Sequence, residues 1–206
     1  MPNVVLPNSL FIHVMKTGGS WVCEALIGSK LGRDAGFPHT TIAELRETDY
    51  YRDGQFRFSF VRHPIPWYQS FYRFSVSRPQ NQWPPRGWQY RKQYERLAHP
   101  HPGVSFEEFC EYVLEYHPGY CTKNYWVSLG APETEIEFIG RTENLREDLL
   151  RALELAGETV TDEQRRFIRE FPPHNVSPRV SAEYTLRHLR EFRRLEAPTL
   201  ERFGYA

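Results

Sequence analysis

Cysteine is scarce in this chain. Cys23, Cys110 and Cys121 form an odd, widely spaced set that suits neither a disulfide framework nor a zinc cluster. His99-Pro100-His101 has no carboxylate or thiol nearby and does not make a metal site. No apolar run approaches the roughly 20 residues of a membrane span, and Met1 to Pro7 carries no basic region followed by a long apolar stretch. The expectation is a cytoplasmic protein with no membrane insertion. Net charge is also missing. The 26 Lys and Arg balance 26 Asp and Glu, so no overall field draws the chain to a nucleic acid polymer. Internal repeats and low-complexity segments are absent from the sequence. What is present is 206 residues, 40% apolar and 15% aromatic, enough to bury the core of a single domain expected to span 1–206.

The most informative segment is Phe11-Ile-His-Val-Met-Lys-Thr-Gly-Gly-Ser-Trp21, a short apolar strand running into a turn and then a helical pattern through Leu31. Such a turn is an anion site. Gly18 and Gly19 let the backbone approach a phosphate, the first N–H groups of the helix point at it, and Lys16 adds charge. In an ATP-binding P-loop the Lys follows the glycines and is followed by the Ser or Thr that holds magnesium. Here Lys16 precedes Gly18 and Gly19, and no magnesium site is evident.

A second anion site follows a polar stretch. Phe56, Phe58 and Phe60 alternate with polar residues as one face of a buried strand, which ends at Arg62. His63-Pro64-Ile65-Pro66 breaks the strand, and a helix carrying Trp67, Phe71 and Phe74 on one side is predicted from about Pro66. Ser70 lies on that helix, and the Arg62 fork and the Ser70 hydroxyl can converge on one phosphate. From Arg52 to Arg96 nine Lys and Arg face two acids, Asp53 and Glu95, which suits an anionic cofactor.

Strands are expected near Leu10 to Val14, Phe56 to Val61 and Glu135 to Ile139, each followed by a helix. Further helices are predicted at Phe106 to Tyr116, Leu145 to Ala156, Asp162 to Phe171 and Tyr184 to Phe203. The alternation predicts an α/β, P-loop-like three-layer fold in which a central, mainly parallel sheet is flanked by helices and binds ligand beyond its strands' carboxyl ends. The Pro- and Trp-rich stretch Arg78 to Trp88 is expected to be a loop or lid edge, with Trp83 and Trp88 lining an acceptor cleft or covering the core.

With these motifs in order, the sequence resembles the sulfotransferases that use 3′-phosphoadenosine 5′-phosphosulfate (PAPS), more closely the carbohydrate-type branch than the cytosolic phenol and steroid branch. Lys16-Thr17-Gly18-Gly19-Ser20 is similar to the family's 5′-phosphosulfate loop, and Phe60 through Tyr72 to its 3′-phosphate motif. Ile139-Gly-Arg-Thr-Glu-Asn-Leu145 and His174-Asn-Val-Ser-Pro-Arg179 resemble two later family segments. The departures are Met15 where Pro is usual, His63 where Asp or Asn is usual, and Trp67 where a further Arg is common, a role open to Arg73 or Arg179.

The resemblance implies sulfuryl transfer to a hydroxyl or amine of a glycan or small hydroxylated acceptor, with adenosine 3′,5′-bisphosphate (PAP) as product and no metal required. It implies donor binding by Lys16, Thr17, Gly18, Gly19, Ser20, Trp21, Arg62, Ser70, Arg141, Ser177 and Arg179. Lys16 would stabilise the bridging oxygen as it becomes negative. His39, just before a short helix that Thr40 or Thr41 can cap, is the candidate base, with Glu24 in reserve. Two other functions share these motifs: a small P-loop kinase, and an inactive module that binds nucleotide or glycan.

Overall fold

Phe58 and Phe60 are buried as their alternation predicts, but so are the polar residues Arg57 and Ser59 that alternate with them. Their strand is interior, and its polar side chains are covered because each finds a partner. Ser59 Oγ donates to the Ile12 carbonyl at 2.7 Å. The Arg57 guanidinium pairs with Glu137 at 3.3 Å and lies 4.4 Å from the Tyr51 ring centroid.

The computed structural model describes residues 1–77, 103–130, 136–174 and 180–205. Trp83, Trp88, His99, His101, Ser177 and Arg179 fall outside the described residues. The chain divides into two compact units, Met1–Arg62 with Asn124–Val176 and His63–Lys123 with Ser177–Ala206.

The first unit is built on five strands: β1 (Asn3–Val5), β2 (Ser9–Ile12), β3 (Arg33–Ala35), β4 (Phe56–Val61) and β5 (Phe138–Arg141), in spatial order β3-β1-β2-β4-β5. β2, β4 and β5 are parallel, with Ile12 beside Ser59 and Val61 beside Arg141, while β1 runs antiparallel to both its neighbours. This is the α/β, mainly parallel sheet that the sequence predicts. Its helices are α1 (Gly19–Gly28), α2 (Ile42–Leu45), α6 (Leu145–Leu155) and α7 (Asp162–Glu170). Trp21, Val22 and Leu26 of α1, Leu149 and Leu153 of α6 and Ile168 of α7 form one core with Phe11, Phe58 and Phe60. Each large side chain fully buried there contributes roughly 2 to 3 kcal/mol. Thr41 caps α2 through a reciprocal box with Glu44, as one of the two predicted caps.

The second unit contains α3 (Pro64–Val76), α4 (Phe106–Tyr116), α8 (Leu186–Leu195) and α9 (Ala197–Arg202); α5 (Tyr120–Leu129) begins there and continues into the first. α3 starts two residues earlier than predicted. His63 Nδ1 accepts from the Ile65 N–H at 3.1 Å, doing the capping work usual for Asp or Asn, and Pro64 needs no N–H at the first helical position. Trp67, in the place of a further Arg, is fully buried and stacks on Phe71. The helix predicted from Tyr184 to Phe203 is two helices. Pro198 has no N–H to continue the ladder, and the chain breaks at Glu196. The Glu196 carboxylate is fully buried and accepts from Tyr68 Oη (2.5 Å), the Thr122 N–H (2.8 Å) and Thr122 Oγ1 (2.6 Å). Burial, and next the charge of Glu196, hold the Tyr68 phenol well above its usual pKa, so Tyr68 remains a donor.

No described helix is long and apolar enough to cross a membrane.

Candidate active site

Because β2, β4 and β5 are parallel, their carboxyl ends share one edge of the sheet. The chain leaves that edge at His13, Arg62 and Thr142, each within a segment that the sequence singles out.

The first exit is the Lys-Thr-Gly-Gly turn. Lys16 and Gly18 both have positive φ, 63° and 81°, and Gly18 is the N-cap of α1. No side chain caps that helix end, so its first N–H groups face the loop uncovered by a cap. Gly19 is required for a different reason. A Cβ there would lie 2.0 Å from Cδ2 and 2.5 Å from Nε2 of His13, whose ring packs under the first turn of α1. The His13 imidazole is held well below its usual pKa, first by burial and then by His39, and is therefore neutral. Its Nδ1 donates to the Met1 carbonyl at 3.0 Å.

One hydroxyl ties the exits together, and a second fixes the backbone of the Arg62 exit. Thr142 Oγ1 lies 2.8 Å from the Thr17 carbonyl and 3.0 Å from the Val61 carbonyl, so one side chain spans the turn after β2 and the end of β4. Thr17, buried, donates its own hydroxyl to the Val14 carbonyl at 2.8 Å. The Tyr125 hydroxyl accepts from the Arg62 N–H at 2.9 Å and donates to the Arg62 carbonyl at 2.8 Å. It fixes the backbone from which the half-buried Arg62 side chain departs. Thr142 belongs to a family-like segment, but nothing local signals its partners; Tyr125 lies in a helix without an evident motif.

A cavity of about 440 Å³ opens at this edge, lined among others by Gly18, Trp21, Thr142, Leu145, Arg146 and His174. Trp21 is a wall of it. Its Nε1 donates to the Pro172 carbonyl at 3.1 Å, and the Arg146 guanidinium carbon lies 5.2 Å from its ring centroid. Arg146 Nη2 donates to the Phe171 carbonyl at 2.6 Å, while its buried Nε has no hydrogen-bond partner among the described residues.

His39 belongs to the same unit. Its φ is +57°, and its Nδ1 lies 3.2 Å from the His13 carbonyl. A carbonyl only accepts, so Nδ1 carries a proton, which leaves Nε2 as the nitrogen that accepts one whenever the ring is neutral. The centroids of the His13 and His39 imidazole rings are 4.5 Å apart. Glu24 is half-buried on α1, one turn beyond Ser20. Arg141 has an exposed side chain, and its N–H donates to Asp148 at 2.6 Å. Ser70 is half-buried on α3, in the second unit. Among the described residues no three His, Cys, Asp or Glu side chains gather where they could hold a metal ion.

The chain belongs to the sulfotransferase family, whose model matches residues 33–196. The matched span includes Arg62, Ser70 and Thr142 and begins beyond Lys16 to Trp21. No curated protein and no solved structure matches the chain. The protein is thus an enzyme of sulfuryl transfer.

Proposed function

We propose that this enzyme transfers the sulfuryl group of PAPS to a hydroxyl or amine of a glycan or small hydroxylated acceptor, releasing PAP. The observation that carries the reading is the turn at the carboxyl end of β2. There Gly18 in the left-handed region and an uncapped helix end, with Lys16 just before them, open on a cavity of about 440 Å³. That volume suits a nucleoside beside its phosphates. On this reading the two units serve one catalytic domain, since the family match runs through both.

Lys16 and the N–H groups of Gly18, Gly19 and Ser20, at the entry to α1, bind the 5′-phosphosulfate and stabilise the bridging oxygen as its bond to sulfur breaks. Trp21 lines the adjoining nucleoside cavity. Arg62 holds the 3′-phosphate; the motif spacing assigns Ser70 to the same group, and the family-like segments add Arg141, Ser177 and Arg179. His39 Nε2 takes the proton as the acceptor oxygen bonds to sulfur. The fixed Nδ1–H supports His39 over Glu24, for which the structure offers no comparable anchor.

The test is transfer of labelled sulfate from PAPS to a panel of hydroxylated acceptors, with PAP binding followed by calorimetry. Lys16→Met keeps the aliphatic stem and removes the charge. Turnover should fall roughly a hundredfold or more with a smaller loss of PAP affinity. Unchanged turnover at saturating donor would remove Lys16 from the chemistry. Phosphoryl transfer from ATP with magnesium, and none of sulfate from PAPS, would overturn the whole reading.

A further inference from the structure

Asn3 is a polar side chain with no exposed surface, set on a strand that the sequence does not announce. Its amide makes two hydrogen bonds of opposite sense. Oδ1 accepts from the His13 N–H at 2.7 Å, and Nδ2 donates to the Thr40 carbonyl at 3.1 Å. Those peptide groups bracket the candidate base. His13 supplies the carbonyl that receives His39 Nδ1–H, and Thr40 is the residue after His39.

The bracket acts on a backbone that would not hold itself. A non-glycine residue at φ +57° is in a sparsely populated region and persists only where its surroundings fix it. On one side Thr40 Oγ1 closes the turn, donating to the Phe37 carbonyl at 2.6 Å and accepting from the Phe37 N–H at 3.0 Å. On the other side, Asn3 links this turn to the end of β2, where the His39 ring lies against the His13 carbonyl. A side chain making that link must accept from an N–H and donate to a carbonyl at once, which a carboxamide does and neither a carboxylate nor an aliphatic group can.

We infer that Asn3 is a positioning residue for sulfuryl transfer: its carboxamide clamps His13 to Thr40 and so holds His39 in the Nδ1–H tautomer, with Nε2 as the proton acceptor. This rests on the reading of His39 as base, so the experiment separates the two. Asn3→Ala removes both bonds; Asn3→Asp keeps the acceptor for His13 and, as a carboxylate, loses the donor to Thr40, and serves if the first variant does not fold. Each is made alone and with His39→Ala. The readouts are kcat, PAP affinity and the imidazole ¹⁵N shifts that report the tautomer.

In wild type the His39 shifts should show protonated Nδ1. Each Asn3 variant should give a tautomer mixture and lower kcat by about tenfold or more, with PAP affinity within about twofold. In the His39→Ala background the same change should alter the residual rate by less than about twofold, because a clamp without its base has nothing to position. Unaltered ¹⁵N shifts in the variants, or equal losses of kcat in both backgrounds, would overturn the clamp and leave the base standing. Near wild-type turnover in His39→Ala alone would overturn the base, and the clamp's catalytic role with it.

Discussion

Gly19→Ala adds one methyl group at the place where the loop meets the sheet. The new Cβ would stand 2.0 Å from His13 Cδ2, 2.5 Å from Nε2 and 2.9 Å from Cγ, whereas ordinary contact begins near 3.4 Å. The ring or the start of α1 must therefore retreat by more than 1 Å. The ring has little room. It is buried, its Nδ1 is bonded to the Met1 carbonyl, and the rings of Phe11 and His39 lie 6.1 Å and 4.5 Å away. Overpacking of this kind costs about 1 to 3 kcal/mol. In a chain of this length each kcal/mol moves Tm by roughly 2 to 4 °C, so a fall of about 2 to 12 °C is expected in thermal denaturation followed by circular dichroism. Backbone conformation is not the obstacle, since Gly19 is not among the residues with positive φ. The clash alone should carry the effect, and deleting the ring should relieve it. In a His13→Ala background the added methyl should cost close to nothing, so the coupling should be roughly the whole 1 to 3 kcal/mol. An equal cost in both backgrounds would refute the reasoning.

Arg62→Ala should weaken PAP by about 2 to 4 kcal/mol while adenosine 5′-monophosphate loses little, because only PAP carries the 3′-phosphate; equal losses in calorimetry would move Arg62 away from that group. His13 is neutral in the folded protein and titrates normally when unfolded, so the unfolded state binds more protons below a pH of about 6.5. Stability is fully present above that pH and falls below it by up to about 1.4 kcal/mol per unit from this residue. A His13→Asn variant should show a shallower acid-side loss in urea titrations from pH 7 to 5, and a parallel slope would contradict the assignment. Glu196→Ala leaves the Tyr68 hydroxyl and the donors of Thr122 without their buried acceptor, and should cost about 3 kcal/mol or more by denaturant unfolding. A loss below about 1 kcal/mol would mean that water replaces the carboxylate.

Local pattern was enough wherever an element announces itself within its own residues. Phe56, Phe58 and Phe60 mark β4, Ser105 and Glu108 box the start of α4, and the glycines after Lys16 mark the loop, since φ of +81° at Gly18 is a property that residue type foretells. The order of these motifs along the chain was enough to suggest the family. Other features exist only because distant segments meet. β1 and β3 are three residues each, and Arg33-Asp34-Ala35 has no strand propensity; pairing with β1 makes it a strand. The same cause hid much of the candidate site. Asn3 meets Thr40 across 37 positions, Arg62 meets Tyr125 across 63 and Thr17 meets Thr142 across 125. The sequence by itself determined where backbone freedom, charge and helix polarity favour an anion, because these properties are local. Only the tertiary structure decided which nitrogen of His39 carries its proton and which buried amide and hydroxyls hold the loops, because a hydrogen bond is fixed by where two groups stand in space.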